Sequence, residues 1–155
     1  MEITYRLTIG PSAVGWERHR SCAAASRQEL LWSYFPGDVG IKEGDAKFET
    51  NFGLIPILHF NLSMIIIYER LASAEDAAED YTFTEADDSL SFRRSLTSVI
   101  IEPSFCPVTV VSQMDAMRIA IKSFTHRVIS ALGSAYPDFL RNSLAEEMSA
   151  RAKDL

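Results

Sequence analysis

One acidic stretch is the densest group of chemically capable side chains in this chain. Between residues 71 and 92 there is no Lys or Arg, and seven carboxylates occur: Glu75, Asp76, Glu79, Asp80, Glu85, Asp87 and Asp88. The rest of the chain contains fifteen basic and fourteen acidic residues, so the formal net charge of -6 arises from this stretch. A concentrated negative field attracts cationic partners and repels phosphate backbones. We therefore expect a partner with a basic surface and no binding of nucleic acid.

The acidic stretch suits the binding of a protein better than catalysis or metal binding. Calcium-binding loops need the spacing D-x-[DN]-x-[DN]-G, which is missing here. Acid-base hydrolysis needs one carboxyl group held protonated beside an ionised one, and a solvated turn has nothing to separate their pKa values. Tyr81 and Phe83 add aromatic contact area beside the charges. We predict a partner-binding surface formed by the seven carboxylates together with Tyr81 and Phe83; the alternative is a solvated loop.

Motifs for nucleotide, hydrolase or zinc chemistry do not occur in the sequence: G-x-G-x-x-G, G-x-x-x-x-G-K-[ST], G-x-S-x-G and H-E-x-x-H are all missing. His19, His59 and His126 are widely spaced, and two of them precede arginine, which disfavours a metal cation. We predict a protein that is not an enzyme and that uses no cofactor or metal ion. Because catalytic triads can assemble from dispersed residues, the alternative is a small hydrolase or ligand-binding domain, with Tyr81, His59 or His126 at a pocket between sheet and helices.

A basic strip is the second surface of interest. Lys122 and His126 are four residues apart on the polar face of a predicted helix, where Arg118 and Arg127 add positive charge. Such a face is usually solvated. Its functional alternative is contact with an acidic ligand.

The composition is that of one globular domain spanning residues 1–155. Apolar residues make up 47% and charged residues 23% of the chain, which is enough apolar material for one core. The most apolar segment, residues 54–68, is shorter than the ~20 residues that span a bilayer. The N-terminus lacks the regions of a signal peptide, and Cys22 and Cys106 do not form the pattern of a disulfide framework. We expect a reduced, cytoplasmic protein that does not contact a membrane.

Hydrophobic spacing and turn residues predict an order of strands and helices. Predicted strands and hairpins cover residues 2–9, 39–48, 81–92, 97–102 and 108–111. Predicted helices cover residues 26–35, 56–71 and 112–132, and a final helix starts at Pro137. Residues 65–67 argue for a strand inside the second helix, but the length of the segment favours a helix. This order predicts an α+β fold with a mainly antiparallel sheet and helices packed on one of its faces.

The two C-terminal helices carry the clearest apolar stripes. Ser112 is the expected N-cap of the first helix, and Gly133 is its expected C-terminal stop. The final helix should direct Leu140, Leu144 and Met148 inward. These stripes also leave a homo-oligomeric structural or regulatory subunit as a third alternative.

The segment between residues 38 and 132 is similar in its arrangement to a known kind of protein. The likeness lies in V-G-I-K-E-G-D at 39–45 leading to Phe48, the apolar helix around Phe60 and Leu62, Y-T-F at 81–83, L-S-F at 90–92, and the helix through Phe124. This order resembles small bacterial immunity proteins that are encoded beside toxins. The resemblance implies a non-enzymatic inhibitor that binds the basic surface of a cognate toxin and covers or distorts its active site. It transfers no site residue, because such proteins share a strand pattern and an acidic surface rather than a motif.

Overall fold

The secondary structure confirms the predicted α+β class. The computed structural model describes residues 1–8, 17, 19–84 and 86–155. Its strands are β1 (Glu2–Leu7), β2 (Pro36–Glu43), β3 (Ala46–Glu49), β4 (Ile55–Pro56), β5 (Ala78–Thr82), β6 (Ser89–Ser95), β7 (Ser98–Pro103) and β8 (Val110–Gln113). Its helices are α1 (Arg27–Ser33), α2 (Ile57–Ala72), α3 (Met114–Ala135), a 3₁₀ helix (Pro137–Arg141) and α4 (Ser143–Asp154). All strand pairs among these residues are antiparallel, as predicted, and they form two four-stranded sheets rather than one.

The first sheet has β2 at its centre. β1 pairs along one side of β2, and β3 and β4 pair along the other side. Ile3, Ile41 and Phe48 are directly aligned across these strands and are buried. The predicted N-terminal strand is confirmed as far as Leu7, whereas Ile9 and the expected strand end at residues 10–11 lie outside the described residues.

The second sheet is a meander in the order β5-β6-β7-β8. Phe92, Val99 and Ile101 are buried on the face that the helices cover. The predicted hairpin at residues 81–92 and both extended segments are confirmed within β5 to β8. The two sheets meet where the hydroxyl group of Ser112 donates to the Glu43 carboxylate at 3.2 Å.

The first two helices follow the sequence closely. The hydroxyl oxygen of Ser26 accepts the backbone N–H of Glu29 at 3.2 Å, and the Glu29 carboxylate accepts the backbone N–H of Ser26 at 2.8 Å, which is the predicted capping box. Residues 65–67, which also argued for a strand, lie within the helix α2. Ile65 and Ile67 are buried there, because packing against neighbouring elements outweighs the lower helix propensity of β-branched residues.

The predicted ends of α3 are wrong in detail. Ser112 lies within β8, and Gln113 is the N-cap of α3. Gly133 lies inside the helix rather than after it. A Cβ atom at this position would stand 2.7 Å from Cδ2 of Leu140, so the glycine permits close packing of the 3₁₀ helix on α3.

The chain after α3 also differs from the single predicted helix. Pro137 begins the 3₁₀ helix, and α4 begins later, with Asn142 as its N-cap. Because three residues make one turn of a 3₁₀ helix, Phe139 points inward and Leu140, predicted to be buried, is 54% exposed. Leu144 and Met148 are buried, as predicted.

The apolar stripes of α3 and α4 are used inside the subunit. Met117, Ile121, Phe124, Leu144 and Met148 are all buried in one core cluster with residues of both sheets. Apart from Leu140, the stripes that suggested a homo-oligomer are therefore covered within the chain itself. Among the described residues, no helix combines the length and the apolar character needed to cross a bilayer.

Candidate functional site

The described carboxylates of the predicted partner-binding surface lie before, within and just after β5, a terminal strand of the second sheet. β5 is the terminal strand and pairs with β6 alone in the described part of the chain. Because a strand rises about 3.3 Å per residue, the carboxylates before β5 and those after it stand roughly 20 Å apart. They are spread along the strand rather than gathered in a compact patch, and within β5 Glu79 faces α2 whereas Asp80 faces the opposite side of the sheet. We call the following six residues the acidic edge: Glu75, Asp76, Glu79, Asp80, Asp87 and Asp88.

The carboxylates of the acidic edge remain in contact with solvent. Four of them are exposed, namely Glu75, Asp76, Asp80 and Asp87. The other two, Glu79 and Asp88, are partly buried. Glu85, which was predicted to belong to this surface, lies outside the described residues.

Few contacts neutralise this charge. Glu79 accepts a hydrogen bond from Arg70 of α2 at 2.9 Å, and this is the single ion pair of the acidic edge within the described residues. Asp88 accepts a hydrogen bond from the neutral hydroxyl group of Ser104 at 2.7 Å. Five of the six carboxylates have no ion pair among the described residues, so most of the negative charge of the acidic edge stays uncompensated.

Arg94 of β6 holds the segment from which the acidic edge begins. Its Nε donates to the carbonyl oxygen of Leu96 at 2.6 Å. Its Nη1 donates to three carbonyl oxygens at the end of α2 and just beyond it, those of Leu71 (2.9 Å), Ala72 (3.1 Å) and Ala74 (3.2 Å). A planar guanidinium can serve several acceptors at once, and positive charge is favourable at a helix C-terminus. Arg94 thereby fixes where Glu75 and Asp76 lie relative to the sheet.

The prediction that Tyr81 and Phe83 supply aromatic contact area to a partner is wrong. Tyr81 is 4% exposed and Phe83 is 2% exposed. Tyr81 packs edge to face against Phe60 with ring centroids 5.1 Å apart, and Phe83 packs similarly against Phe52 at 5.2 Å. Alternate residues of a strand point to opposite faces, and these two share the face that the helices cover. Both rings belong to the core.

His59 and Tyr81 are brought together, as the ligand-binding alternative requires. The Nδ1 atom of His59 lies 3.3 Å from the Tyr81 hydroxyl oxygen, and the ring of Trp32 lies over the His59 ring with centroids 4.0 Å apart. Burial lowers the pKa of His59 and raises the pKa of Tyr81, since both charged forms lose hydration. These residues border a shallow groove of about 220 Å³ between α2 and β5, which Ser63 also lines. No carboxylate among the described contacts orients the imidazole for general-base chemistry.

His126 lies at a different site, so the three residues of that alternative do not form one pocket. It lines a cleft of about 440 Å³ between α3 and α4, together with Lys122, Thr125 and Lys153. The ammonium group of Lys122 donates to the backbone carbonyl of Lys153 at 3.1 Å. The predicted basic strip is thus divided: Arg118 and Lys122 both donate to backbone carbonyls at the end of α4, those of residues 155 and 153, whereas Arg127 donates to the carbonyl of residue 3 in β1.

Neither a metal site among the described residues nor a known relative assigns a function to this chain. The described residues contain no group of three or more His, Cys, Asp or Glu side chains arranged to hold a metal ion. No protein-family model, curated protein or solved structure matches this chain. The acidic edge and the two clefts are therefore the candidate functional sites of the described residues.

Three residues that matter at these sites were missed from the sequence. Arg70, Arg94 and Trp32 contact the acidic edge or its surroundings from other elements. Arg94 places a long charged side chain within a strand, and this is the one local feature that could have indicated its hydrogen bonds to the end of α2. Arg70 and Trp32 look like ordinary surface residues of amphipathic helices, so their contacts become visible only in the fold.

Proposed function

We propose that this chain is a cytoplasmic, non-enzymatic protein-binding domain of the toxin-immunity type, which neutralises a cognate toxin by binding a basic surface of that toxin. The observation that supports this function best is the acidic edge. Its six carboxylates lie before, within and after the edge strand β5, and one of them, Glu79, forms an ion pair among the described residues. Because the charge of the remaining chain nearly cancels, this edge dominates the long-range field of the protein.

Inhibition of this kind needs complementary charge and no chemistry. A toxin that cleaves nucleic acid presents a basic cleft to a duplex in which each strand carries one phosphate per about 3.4 Å of helix axis. Carboxylates spread over roughly 20 Å can occupy such a cleft, with several charges engaged at once. Electrostatic attraction of this sort mainly raises the association rate, and it is screened by salt.

A neutralised variant tests the role of the edge. The change Glu75→Gln/Asp76→Asn/Asp80→Asn/Asp87→Asn removes four exposed carboxylates that make no ion pair among the described residues, so the fold should be retained. The partner to use is the protein encoded by the neighbouring gene, co-expressed with this chain. We expect association with that partner to slow about tenfold at low ionic strength and its salt dependence to flatten. Stopped-flow kinetics and rescue of growth are the two readouts.

A matched control removes the same charge elsewhere. Glu2→Gln/Asp45→Asn/Glu146→Gln/Asp154→Asn also neutralises four exposed carboxylates, and it leaves the acidic edge intact. We expect its association rate to stay close to that of the wild type. Equal rates for the two variants would contradict a role for the edge, and failure of the wild-type chain to bind or to rescue growth would contradict toxin inhibition.

A ligand-binding domain is the second candidate function, and the cleft between α3 and α4 favours it. Lys122, His126 and Lys153 surround an opening whose floor includes Ile129 and Ala152, which suits a small acidic molecule with an apolar part. Binding of carboxylate and phosphate compounds, followed by chemical shifts of the wild type and of Lys122→Gln, tests this role. Equal shifts in the two proteins would exclude the cleft.

A further inference from the structure

The outer edge of β5 presents backbone groups that have no strand partner among the described residues. In an antiparallel ladder, successive residue pairs alternate between those that exchange hydrogen bonds across the ladder and those that do not. The backbone N–H of Arg94 donates to the Ala77 carbonyl at 2.8 Å, and the N–H of Phe83 donates to the Asp88 carbonyl at 2.9 Å. Residues 77, 79, 81 and 83 therefore bond toward β6. The intervening residues direct their N–H and C=O groups to the open side: Ala78, Asp80 and Thr82.

These outward-facing residues are also accessible. All three are exposed, and five residues of β5 are paired on the other side with β6. An edge strand with unpaired backbone groups can accept an additional strand from another chain unless something blocks it. In the described part of the chain, neither a proline nor a bulge interrupts β5.

A groove beside the edge can receive side chains of an added strand. It is bordered on one side by residues 79–82 and on the other by α2, where Ser63, Ile66 and Arg70 line it. Ile66 is partly exposed, so it offers apolar contact to a side chain that an extended segment directs toward α2. The Arg70 and Glu79 ion pair spans the same groove at 2.9 Å.

Charge decides which segment fits. A second copy of this chain paired edge to edge would place carboxylates opposite carboxylates, which is destabilising across strands. A segment with Lys or Arg opposite Asp80 gains an oppositely charged cross-strand pair instead. The acidic edge thus works against self-association and in favour of a basic strand.

We propose that β5 binds an extended, Lys- or Arg-containing segment of the partner protein as a fifth strand of the second sheet, an inference that rests on the partner-binding role proposed above. Main-chain hydrogen bonds to Ala78, Asp80 and Thr82 hold the segment, and the acidic edge selects its charge. The groove along α2 accepts an apolar side chain that the segment directs toward it.

Amide hydrogen exchange of the full chain tests this proposal directly. The probe is a blocked peptide in which Lys and Val alternate, added at millimolar concentration. We expect exchange of the N–H groups of Ala78, Asp80 and Thr82 to slow at least about tenfold, while those of Glu79 and Tyr81, already bonded to β6, change little. Peptides with Glu in place of Lys, or with a central Pro, should give no protection. Absence of protection by the Lys peptide would overturn the proposal, and so would protection that appears without peptide and rises with protein concentration, because that identifies a second copy as the occupant.

Proline variants separate strand addition from simple charge attraction. Ala78→Pro/Thr82→Pro removes two outward N–H donors without changing charge or the ladder to β6, and edge strands tolerate such prolines. Ala78→Val/Thr82→Val is the matched control, which keeps both donors. We expect the proline variant to bind the peptide at least about tenfold more weakly than the valine variant, with the same salt dependence. Equal binding would show that side chains alone hold the segment.

Strand addition and toxin inhibition can be tested separately. Rescue of growth in the co-expression experiment without protection of the β5 amides would retain the toxin-inhibitor role and remove strand addition. Protection of the amides without rescue would retain strand addition and remove toxin inhibition.

Discussion

His59 takes its properties from three different elements. It belongs to α2, its ring lies 4.0 Å from that of Trp32 in α1, and its Nδ1 lies 3.3 Å from the Tyr81 hydroxyl group in β5. Burial lowers its pKa in the folded chain. In the unfolded chain the same imidazole returns to its ordinary pKa of about 6.5.

This difference predicts a pH dependence of stability. At pH values between the folded and unfolded pKa of His59, the unfolded chain binds a proton that the folded chain excludes. The contribution of His59 to the free energy of unfolding is therefore complete above about pH 6.5, and it is lost as the pH falls below that value. We expect the free energy of unfolding to decrease between about pH 7 and pH 5, and to decrease less in His59→Gln. Urea denaturation at several pH values measures both profiles.

Two carboxyl groups with lowered pKa values affect stability only below that pH window. Hydrogen bonds from Arg27 and from Ser21 lower the pKa values of Glu147 and Asp138, respectively. Their contributions are present above the ordinary carboxyl pKa of about 4 and are lost only below it. Identical profiles for the wild type and His59→Gln between pH 5 and 7 would show that His59 is not the source.

Asn142 joins α4 to the segment that precedes α1. Its Oδ1 accepts the backbone N–H of Leu144 at 3.0 Å, and its Nδ2 donates to the carbonyl oxygens of Cys22 at 3.0 Å and Ala25 at 2.9 Å. We expect Asn142→Ala to lower the free energy of unfolding by about 2 to 3 kcal/mol, because a helix cap and two carbonyl partners are lost together. Urea denaturation at constant pH measures the loss.

The cap of α1 provides the control for this change. Ser26 makes its cap at the surface, and Ser26→Ala should cost about 1 kcal/mol. If Asn142→Ala costs no more than Ser26→Ala, the hydrogen bonds of Nδ2 add nothing to stability.

At the scale of elements, β5 shows how one strand separates core from surface. Tyr81 and Phe83 point toward the helices and are buried, whereas Asp80 points away and is exposed. The same alternation determines which backbone groups reach β6 and which face the open edge. A shift of one residue in pairing would bury Asp80 and expose the aromatic rings, so the core selects this register.

The contact between α3 and the 3₁₀ helix is a second case in which packing decides. Three side-chain carbons of Leu140 would stand 2.7 to 2.9 Å from a Cβ at Gly133. We expect Gly133→Ala to destabilise the wild-type chain, although alanine is favoured over glycine in a helix by about 1 kcal/mol. In a Leu140→Ala background, where the clash is absent, the same substitution should stabilise by about 1 kcal/mol.

A double-mutant cycle measured by thermal or urea unfolding checks this change of sign. Leu140 is largely exposed, so Leu140→Ala alone is expected to be mild. If Gly133→Ala has the same effect on stability in both backgrounds, contact with Leu140 is not the reason why position 133 requires glycine.

At the scale of the whole molecule, a chain of aromatic contacts links the two sheets. Phe124 of α3 packs against Tyr5 of β1 at 5.8 Å and against Phe60 of α2 at 5.9 Å, and Phe60 packs against Tyr81 of β5 at 5.1 Å. Buried residues of both sheets and all four α-helices belong to one core cluster in the described part of the chain.

A continuous core predicts a single unfolding transition. We expect unfolding curves from far-ultraviolet circular dichroism and from tryptophan fluorescence to coincide, since neither sheet retains a separate core once the other is lost. Calorimetric and van't Hoff enthalpies should also agree. Two separated transitions would contradict the prediction that residues 1–155 form one domain.

Local structure could be predicted from the sequence because its causes act over a few residues. The Ser26 and Glu29 capping box, the helical length of α2 and the alternation in β1, β5 and β6 all depend on hydrogen bonds or side-chain spacing between near neighbours. The ends of α3 and α4 were harder, because Gly133 is retained for a contact with a residue that lies in the next element.

The sequence by itself determined that this chain has α+β secondary structure and one concentrated region of negative charge, since composition and periodicity are properties of the chain alone. Only the tertiary structure decided that Tyr81 and Phe83 are buried, that the strand flanked by the carboxylates lies at the edge of its sheet, and that His59 and His126 lie at separate clefts. These features depend on where α2 and α3 pack against the two sheets. Such packing joins residues far apart in the chain, and no short stretch of sequence specifies it.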